Sequence, residues 1–162
     1  MSQLEQINQL MIDVGPLTDV HAIVKKKDES GWTLVYEESV WVDFLYSPEL
    51  QKLTLIAPIG KPGEERQNYT YQTLLEYNWL FETTEGIRIA LTEPGGNLMQ
   101  LLDLFVADLD LSMLRTVVEN FTARARRWQA VMMQGGLTAE NDDSQESPYA
   151  DIAPITDGLF KV

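Results

Sequence analysis

The sequence predicts an α+β fold: an antiparallel, strongly twisted sheet packed against three helices, in the order α-βββ-α-ββ-α. Three observations predict it. Two long segments repeat apolar residues at the spacing of a helix, and a shorter one is apolar nearly all round. Four segments alternate apolar and polar residues, as strands with one covered face do, and a fifth is apolar on both faces. Short connections rich in Gly, Pro, Asn and Ser join them, so helices should be segregated from an antiparallel sheet.

Length and composition predict one α+β domain over residues 1–134 and an acidic appendage over residues 135–162. The 162 residues are 44% hydrophobic, enough for a sizeable core. The appendage carries six acidic residues and one lysine, so it holds −5 of the net charge of −13. Its first part has the composition of a disordered segment. Residues 149–162 regain apolar side chains and either dock on the domain or a partner, or stay free.

The net charge and the absence of targeting signals limit the possible partners and the location of the protein. Neutralising phosphates requires clustered Lys and Arg, so a net charge of −13 argues against nucleic acid. No apolar run approaches the ~20 residues of a membrane helix, and the first ten residues lack the pattern of a signal peptide. Cysteine is absent, which excludes disulfides and thiolate metal sites. We therefore expect a cytoplasmic protein that does not insert into membranes.

The first helix begins at a capping box and ends at a proline. Ser2 and Glu5 have the spacing in which each side chain accepts a backbone N–H of the other residue. Gly15-Pro16 ends the helix, because proline lacks the donor that would continue it. Residues 17–30 are predicted to be irregular. The apolar stripe of this helix is Leu4, Ile7, Leu10, Met11 and Val14.

Three strands are predicted next, as a meander. The runs "GWTLVYEE", "VWVDFLY" and "KLTLIAPI" alternate apolar and polar residues and are rich in β-branched and aromatic side chains. "SPEL" between the second and third has the residues of a hairpin turn. The apolar side chains of the first two runs include Trp32, Leu34, Tyr36, Trp41 and Phe44.

The middle helix, predicted over residues 74–81 with Asn68 or Thr70 as a cap, is the unusual one. "LLEYNWLF" leaves no helical face free of apolar residues. A helix that is apolar all round must be covered all round. A second copy of the chain would supply that cover, and two-fold dimers are the commonest closed assembly. Burial under the loop at 60–70 or under the tail remains the alternative.

A hairpin and a long helix complete the domain. Ile87, Ile89 and Leu91 alternate with polar residues, "EPGGN" turns the chain, and the return strand to Val106 is apolar on both faces, as in a central strand. Asp110 caps a final helix that ends at Gly135-Gly136. Three arginines near its end are predicted to complement the helix dipole. Its apolar positions are Leu111, Leu114, Val117, Val118, Phe121, Ala125, Trp128 and Met132.

The sequence offers little catalytic chemistry. His21 is the only histidine and has no partner in sequence. Asp108 and Asp110 could in principle bind a divalent cation, but a helix cap beside a solvated acid explains them better. "EPGGN" lacks the context of a phosphate-binding loop. We therefore predict no enzyme activity, no metal and no cofactor. A small enzyme that uses paired acids such as Glu37 and Glu38 is the less favoured hypothesis.

Two segments resemble the class I type III secretion chaperones, small acidic bacterial proteins that bind one or a few effectors before export. "LLEYNWLFETTEGIRIALTEPGGNL" is similar to that family's middle helix and following hairpin, and "VENFTARARRWQA" to its closing helix. The likeness covers residues 2–134. The loop at 15–31 and the tail after 135 are longer than the family pattern suggests.

The resemblance implies a homodimer and an effector whose N-terminal region wraps around it in an extended, partly unfolded form. It places the dimer interface at Leu74, Leu75, Tyr77, Asn78, Trp79 and Phe81. Candidate effector contacts are Leu4, Ile7, Met11, Val14, Trp32, Leu34, Tyr36, Trp41 and Phe44. The alternative is a regulatory or adaptor domain of the same fold that binds a folded partner through a compact patch.

Overall fold

The computed structural model describes residues 1–27, 30–37 and 40–139. Over these residues the chain forms three α-helices and six strands. In chain order they are α1 (Gln3–Val14), β1 (Ala22–Lys25), β2 (Gly31–Val35), β3 (Trp41–Ser47), β4 (Lys52–Gly60), α2 (Gln67–Trp79), β5 (Arg88–Leu91), β6 (Leu98–Phe105) and α3 (Leu111–Met133).

The six strands form one antiparallel sheet in the order β1-β2-β3-β4-β6-β5. The predicted meander is confirmed as β2-β3-β4. The return strand of the second hairpin, β6, pairs with both β4 and β5, as expected for a central strand. The α+β class and the antiparallel sheet are therefore confirmed.

The prediction that residues 17–30 are irregular is wrong for Ala22–Lys25, which form β1 at one edge of the sheet. Three of its four side chains are exposed, so the strand shows no clear apolar alternation. Backbone pairing with β2 is what forms this strand, in a register that runs from Ala22 opposite Val35 to Lys25 opposite Trp32. The sheet thus has one more strand than predicted.

One face of the sheet carries the core and the opposite face is partly open. On β4 the side chains alternate, with Leu53, Leu55, Ala57 and Ile59 buried and the residues between them half-buried. On β6 the inner face is buried, whereas Phe105 on the outer face is 65% exposed. β6 is therefore covered by the domain on one face only.

Two of the three helices begin at the capping residue that the sequence predicts. Ser2 Oγ accepts the Glu5 N–H at 3.2 Å, and Glu5 Oε2 accepts the Ser2 N–H at 2.7 Å, which confirms the capping box. Asp110 Oδ1 caps α3 through the Met113 N–H at 2.7 Å. α2 instead begins at Gln67 without a side-chain cap and ends at Trp79, so the predicted start was too late.

The prediction that Arg124, Arg126 and Arg127 complement the helix dipole is wrong, because the last turn of α3 contains no basic residue. Arg124 is buried. It lies well before the last turn of α3, and the dipole acts only within that turn. Its guanidinium instead donates to the Thr84 carbonyl at 2.9 Å and contacts the Tyr77 hydroxyl at 3.5 Å. Arg124 therefore ties α3 to α2 and to the loop that follows α2.

α3 ends against the start of α2. Gly135 and Gly136 have φ of 96° and 105°, a region that disfavours side chains. A Cβ on Gly136 would lie 2.6 Å from Thr70 Oγ1. The next residue, Leu137, is buried and donates its N–H to the same hydroxyl at 3.0 Å. The chain leaves the domain at a fixed point. The rest of the predicted tail, residues 140–162, lies outside the described residues.

Gly136→Ala is expected to destabilise the fold by more than Gly95→Ala, which is its matched control. Both glycines have positive φ, so each alanine costs about 1–2 kcal/mol of backbone strain. Only Gly136 lacks space for a methyl group, which adds about 1–3 kcal/mol. Urea unfolding of the two variants measures the difference. Equal midpoints would show that the contact with Thr70 does not fix the end of α3.

Candidate functional site

α2 divides its apolar residues between the core and solvent. Leu74 and Tyr77 are buried, and the Tyr77 ring meets Trp128 of α3 edge-on with centroids 5.3 Å apart. Burial raises the pKa of the Tyr77 phenol, and the Arg124 charge offsets part of that rise. Leu75 and Trp79 on the opposite side of α2 are 71% and 78% exposed, and Phe81, two residues after the helix ends, is 60% exposed. We call these three residues the α2 apolar strip.

A shallow apolar groove lies beside the α2 apolar strip, between α2 and the β5–β6 hairpin. Its volume is about 270 Å³. None of its lining residues is charged, so an occupant would meet apolar surface and two polar side chains. The lining residues are Tyr71, Leu74, Leu75, Asn78, Ile89, Ala90, Leu91 and Leu98.

Asn78 fixes the angle between α2 and the edge strand β5. Its Nδ2 donates to the Ile89 carbonyl and its Oδ1 accepts the Ile89 N–H, both at 2.8 Å. The carboxamide thus occupies the place of a neighbouring strand at this edge. It blocks strand pairing at Ile89 and holds α2 so that Leu75 and Trp79 face outward.

Asn78→Ala is expected to lower the free energy of unfolding by about 2 kcal/mol, because two backbone groups lose their partners. Asn68→Ala, an exposed asparagine in the first turn of the same helix, is the control and should be nearly neutral. Thermal and urea unfolding give both values. An Asn78 variant as stable as the Asn68 variant would show that the pair of bonds does not anchor α2.

A second and larger groove lies between α1 and the edge strand β1. Its volume is about 590 Å³. Gly15 allows the close approach of the two elements, since even a Cβ there would lie 3.3 Å from Ile23 Cδ1. The Trp32 indole closes the floor and donates to Asn8 Oδ1 at 3.2 Å. The lining residues are Asn8, Met11, Ile12, Gly15, Ile23, Lys25 and Trp32.

The strand that borders this α1–β1 groove has a free edge. Ala22, Val24 and Lys26 face β2 in the hydrogen-bonded register, shown by the Lys26 N–H donating to the Gly31 carbonyl at 3.0 Å. Because bonding alternates along an antiparallel strand, the N–H and C=O groups of Ile23 and Lys25 point away from the sheet. An extended peptide could pair with them and lay alternate side chains in the groove.

The outer sheet face carries apolar side chains between two charged clusters. Asp43 binds Lys26 Nζ at 3.2 Å and the Thr33 hydroxyl at 2.5 Å. Asp103 accepts from Lys52 Nζ at 3.1 Å and from Thr54 and Arg88. Partial burial raises the pKa of Asp103, but these hydrogen bonds outweigh it and leave the pKa below its usual value. The large half-buried or exposed apolar residues on this face are Val24, Val35, Trp41, Leu45, Ile56, Pro58, Met99, Leu101 and Phe105.

Some predicted site residues lie on the surface or line a groove, and the others belong to the core. Among the predicted dimer contacts, Leu75, Trp79 and Phe81 are exposed, Asn78 binds β5, and Leu74 and Tyr77 belong to the core. Among the predicted effector contacts, Met11 and Trp32 line the α1–β1 groove, Leu4 is half-buried on α1, and Trp41 lies on the outer sheet face. The remaining predicted effector contacts face the protomer's core: Ile7, Val14, Leu34, Tyr36 and Phe44.

Sequence reasoning missed four residues of the groove and its edge: Ile12, Ile23, Val24 and Lys25. Ile12 is 67% exposed and lies outside the apolar stripe of α1, which was the available signal. An isoleucine off the buried stripe of an amphipathic helix has no partner within its own domain. The other three belong to the unpredicted strand β1, so no periodicity marked them.

The described polar residues that the sequence analysis considered for catalysis or metal binding lie on the surface. His21 Nε2 lies 3.1 Å from Glu37 Oε1, both largely exposed. Asp110 caps α3, and Asp108 is an exposed neighbour. Within residues 1–27, 30–37 and 40–139, no three His, Asp or Glu side chains come together in a way that could hold a metal ion. In the same ranges, no helix has the length and apolar character to span a membrane.

The sequence matches the model of a chaperone family. The model of the Tir chaperone protein (CesT) family matches residues 24–129. The chain belongs to this family. The predicted family is therefore confirmed, and with it the class of chaperone.

Solved structures of three protein complexes contain a chain with the same fold. A chain of the ExsC–ExsE complex is 19% identical, with a TM-score of 0.68 over 82% of this chain and 97% of that one. A chain of the HopA1–SchA chaperone–effector complex is 15% identical, with a TM-score of 0.64 over 78% and 95%. The Yersinia pestis type III secretion chaperone SycH, in complex with a fragment of YscM2, is 16% identical, with a TM-score of 0.57 over 74% and 97%. The curated protein sequences contain no match.

Proposed function

We propose that this protein is a type III secretion chaperone that acts as a homodimer in the bacterial cytoplasm. It binds the N-terminal region of a secreted effector in an extended form and keeps it export-competent, without catalysing a reaction. Family membership and the fold shared with a chaperone of a chaperone–effector complex support this function.

The α2 apolar strip is the proposed dimer contact. Leu75 and Trp79 project from one side of α2, which is anchored to the domain on its other side, and Phe81 is exposed in the turn that follows the helix. Exposed apolar area of this size is typical of an interaction site. A two-fold axis would bring the strips of two copies together, and the adjoining groove would receive side chains of the second copy.

The α1–β1 groove is the observation that carries the proposed client binding. It combines an apolar trough of about 590 Å³ with a strand edge whose backbone groups are free at Ile23 and Lys25. The strand edge binds any extended sequence through its backbone, whereas the trough selects apolar side chains at alternate positions. A folded domain could not enter such a trough, so the geometry favours an extended client over a compact one.

Co-purification from the native cytosol, followed by limited proteolysis, tests the function. We expect one or a few bound proteins, each with a protease-protected N-terminal stretch of about 50–100 residues, because a client that orders on binding is protected only where it contacts the chaperone. Protection of a complete globular domain would contradict the proposal and favour an adaptor.

A further inference from the structure

We propose that the last four residues of the chain, 159–162, occupy the α1–β1 groove as an added strand while no client is bound. This inference rests on the proposed function, because it assigns a resident competitor to the client's site. It gives the C-terminal tail a use: shielding an apolar trough that would otherwise face water.

The tail is long enough to reach the groove from its attachment point. The chain leaves the domain at Leu137, which is buried and held by the Thr70 hydroxyl. Residues 140–158, which connect the domain to the docked segment, can span up to ~65 Å when extended. The half-circumference of a domain of this size is ~60 Å. Every point on the surface of the protomer is therefore within reach.

Charge favours this groove over the one beside α2. Residues 140–162 carry six acidic residues and one lysine. The α1–β1 groove is lined by Lys25, whose ammonium lies 6.0 Å from the centre of the Trp32 ring, and Lys26 and Lys27 follow directly in the chain. Lys26 is paired with Asp43, so Lys25 and Lys27 are the two lysines of this run that we propose the tail's acids meet. No charged residue lines the α2 groove.

The sequence of the last four residues matches what the edge of β1 can hold. "LFKV" has the same number of residues as β1, and three of its four side chains are apolar, as in β1. Pairing with the free groups of Ile23 and Lys25 would place Phe160 and Val162 on one side, toward the trough, and Lys161 on the other. Phe160 is the largest of these side chains and is the anchor of the proposed contact.

The test uses a fluorescent peptide with the sequence of residues 149–162 and three full-length proteins: the natural chain, Phe160→Asp and Ile152→Asp. Phe160→Asp frees the groove, because an unpaired carboxylate cannot be buried in an apolar trough. Anisotropy titrations should show about tenfold tighter binding to Phe160→Asp, as expected if the tail fills about nine grooves in ten. Ile152→Asp introduces the same charge outside the anchoring segment and should behave like the natural chain.

The double variant Phe160→Asp with Ile12→Asp locates the binding. Ile12 is exposed on the rim of the trough, so its replacement should remove peptide binding without affecting the core. Equal affinity for the natural chain and Phe160→Asp, no binding to either, or binding that survives Ile12→Asp would overturn the inference. None of these results depends on a client. The titrations can therefore overturn the tail contact while co-purification supports the chaperone function, and co-purification can overturn the function while the titrations support the tail contact.

Discussion

Trp79→Asp is expected to convert the protein from a dimer to a monomer. Trp79 is 78% exposed in the single chain. Burying roughly 150 Å² of its ring in a contact contributes about 4 kcal/mol at 25 cal/mol/Å². In a two-fold dimer each subunit buries its own Trp79, so this contribution is made twice. An unpaired aspartate at the same place opposes association further. The dissociation constant of the dimer should rise at least ~1,000-fold.

Light scattering during size-exclusion chromatography measures the change. The natural chain should have twice the protomer mass of 18.4 kDa, and Trp79→Asp should have that mass once. Phe105→Asp is the control, because Phe105 is a similarly exposed aromatic residue on the outer sheet face. Circular dichroism confirms that both variants fold. A Trp79→Asp protein that keeps the mass of the natural dimer would exclude the α2 apolar strip as the interface.

Ile12→Asp is expected to weaken client binding by about 10- to 150-fold, which corresponds to the ~1.5–3 kcal/mol that a buried isoleucine contributes. Ile12 borders the α1–β1 groove and is 67% exposed, so the fold should tolerate the change. The measurement is a titration of the co-purified client's N-terminal segment by calorimetry.

Leu50→Asp is the matched control for Ile12→Asp. Leu50 is 61% exposed in the turn between β3 and β4, away from the residues that line the groove. Its variant should bind the client as the natural chain does. Equal losses in the two variants would show that surface charge and not the groove governs the affinity.

Helices and central strands could be predicted because their side-chain periodicity records which face is buried. The stripe from Ile7 to Val14 and the alternation from Leu53 to Ile59 both follow core contacts that the structure contains. The capping residues Ser2 and Asp110 could also be predicted, because capping depends only on local backbone geometry. The family resemblance depended on the same local patterns.

The candidate grooves could not be predicted in the same way, because periodicity identifies an apolar face without saying what covers it. Phe44 and Leu34 have the pattern of possible contacts, yet the helices cover them within the protomer. β1 is held by backbone pairing with β2, and its side chains gave no signal. The link from Asn78 to Ile89 joins residues whose pairing depends on how a helix docks on a hairpin.

Mapping the client on the α1–β1 groove tests the central claim most directly. Because the chain has no cysteine, Ile12→Cys and Leu50→Cys can each carry one photoreactive benzophenone. Irradiation of the two labelled complexes, followed by mass spectrometry, locates the attached client residues. A crosslink from position 12 into the client's N-terminal stretch, with none from position 50, is the expected result. A crosslink from position 12 only to a folded domain, or none at all, would contradict it.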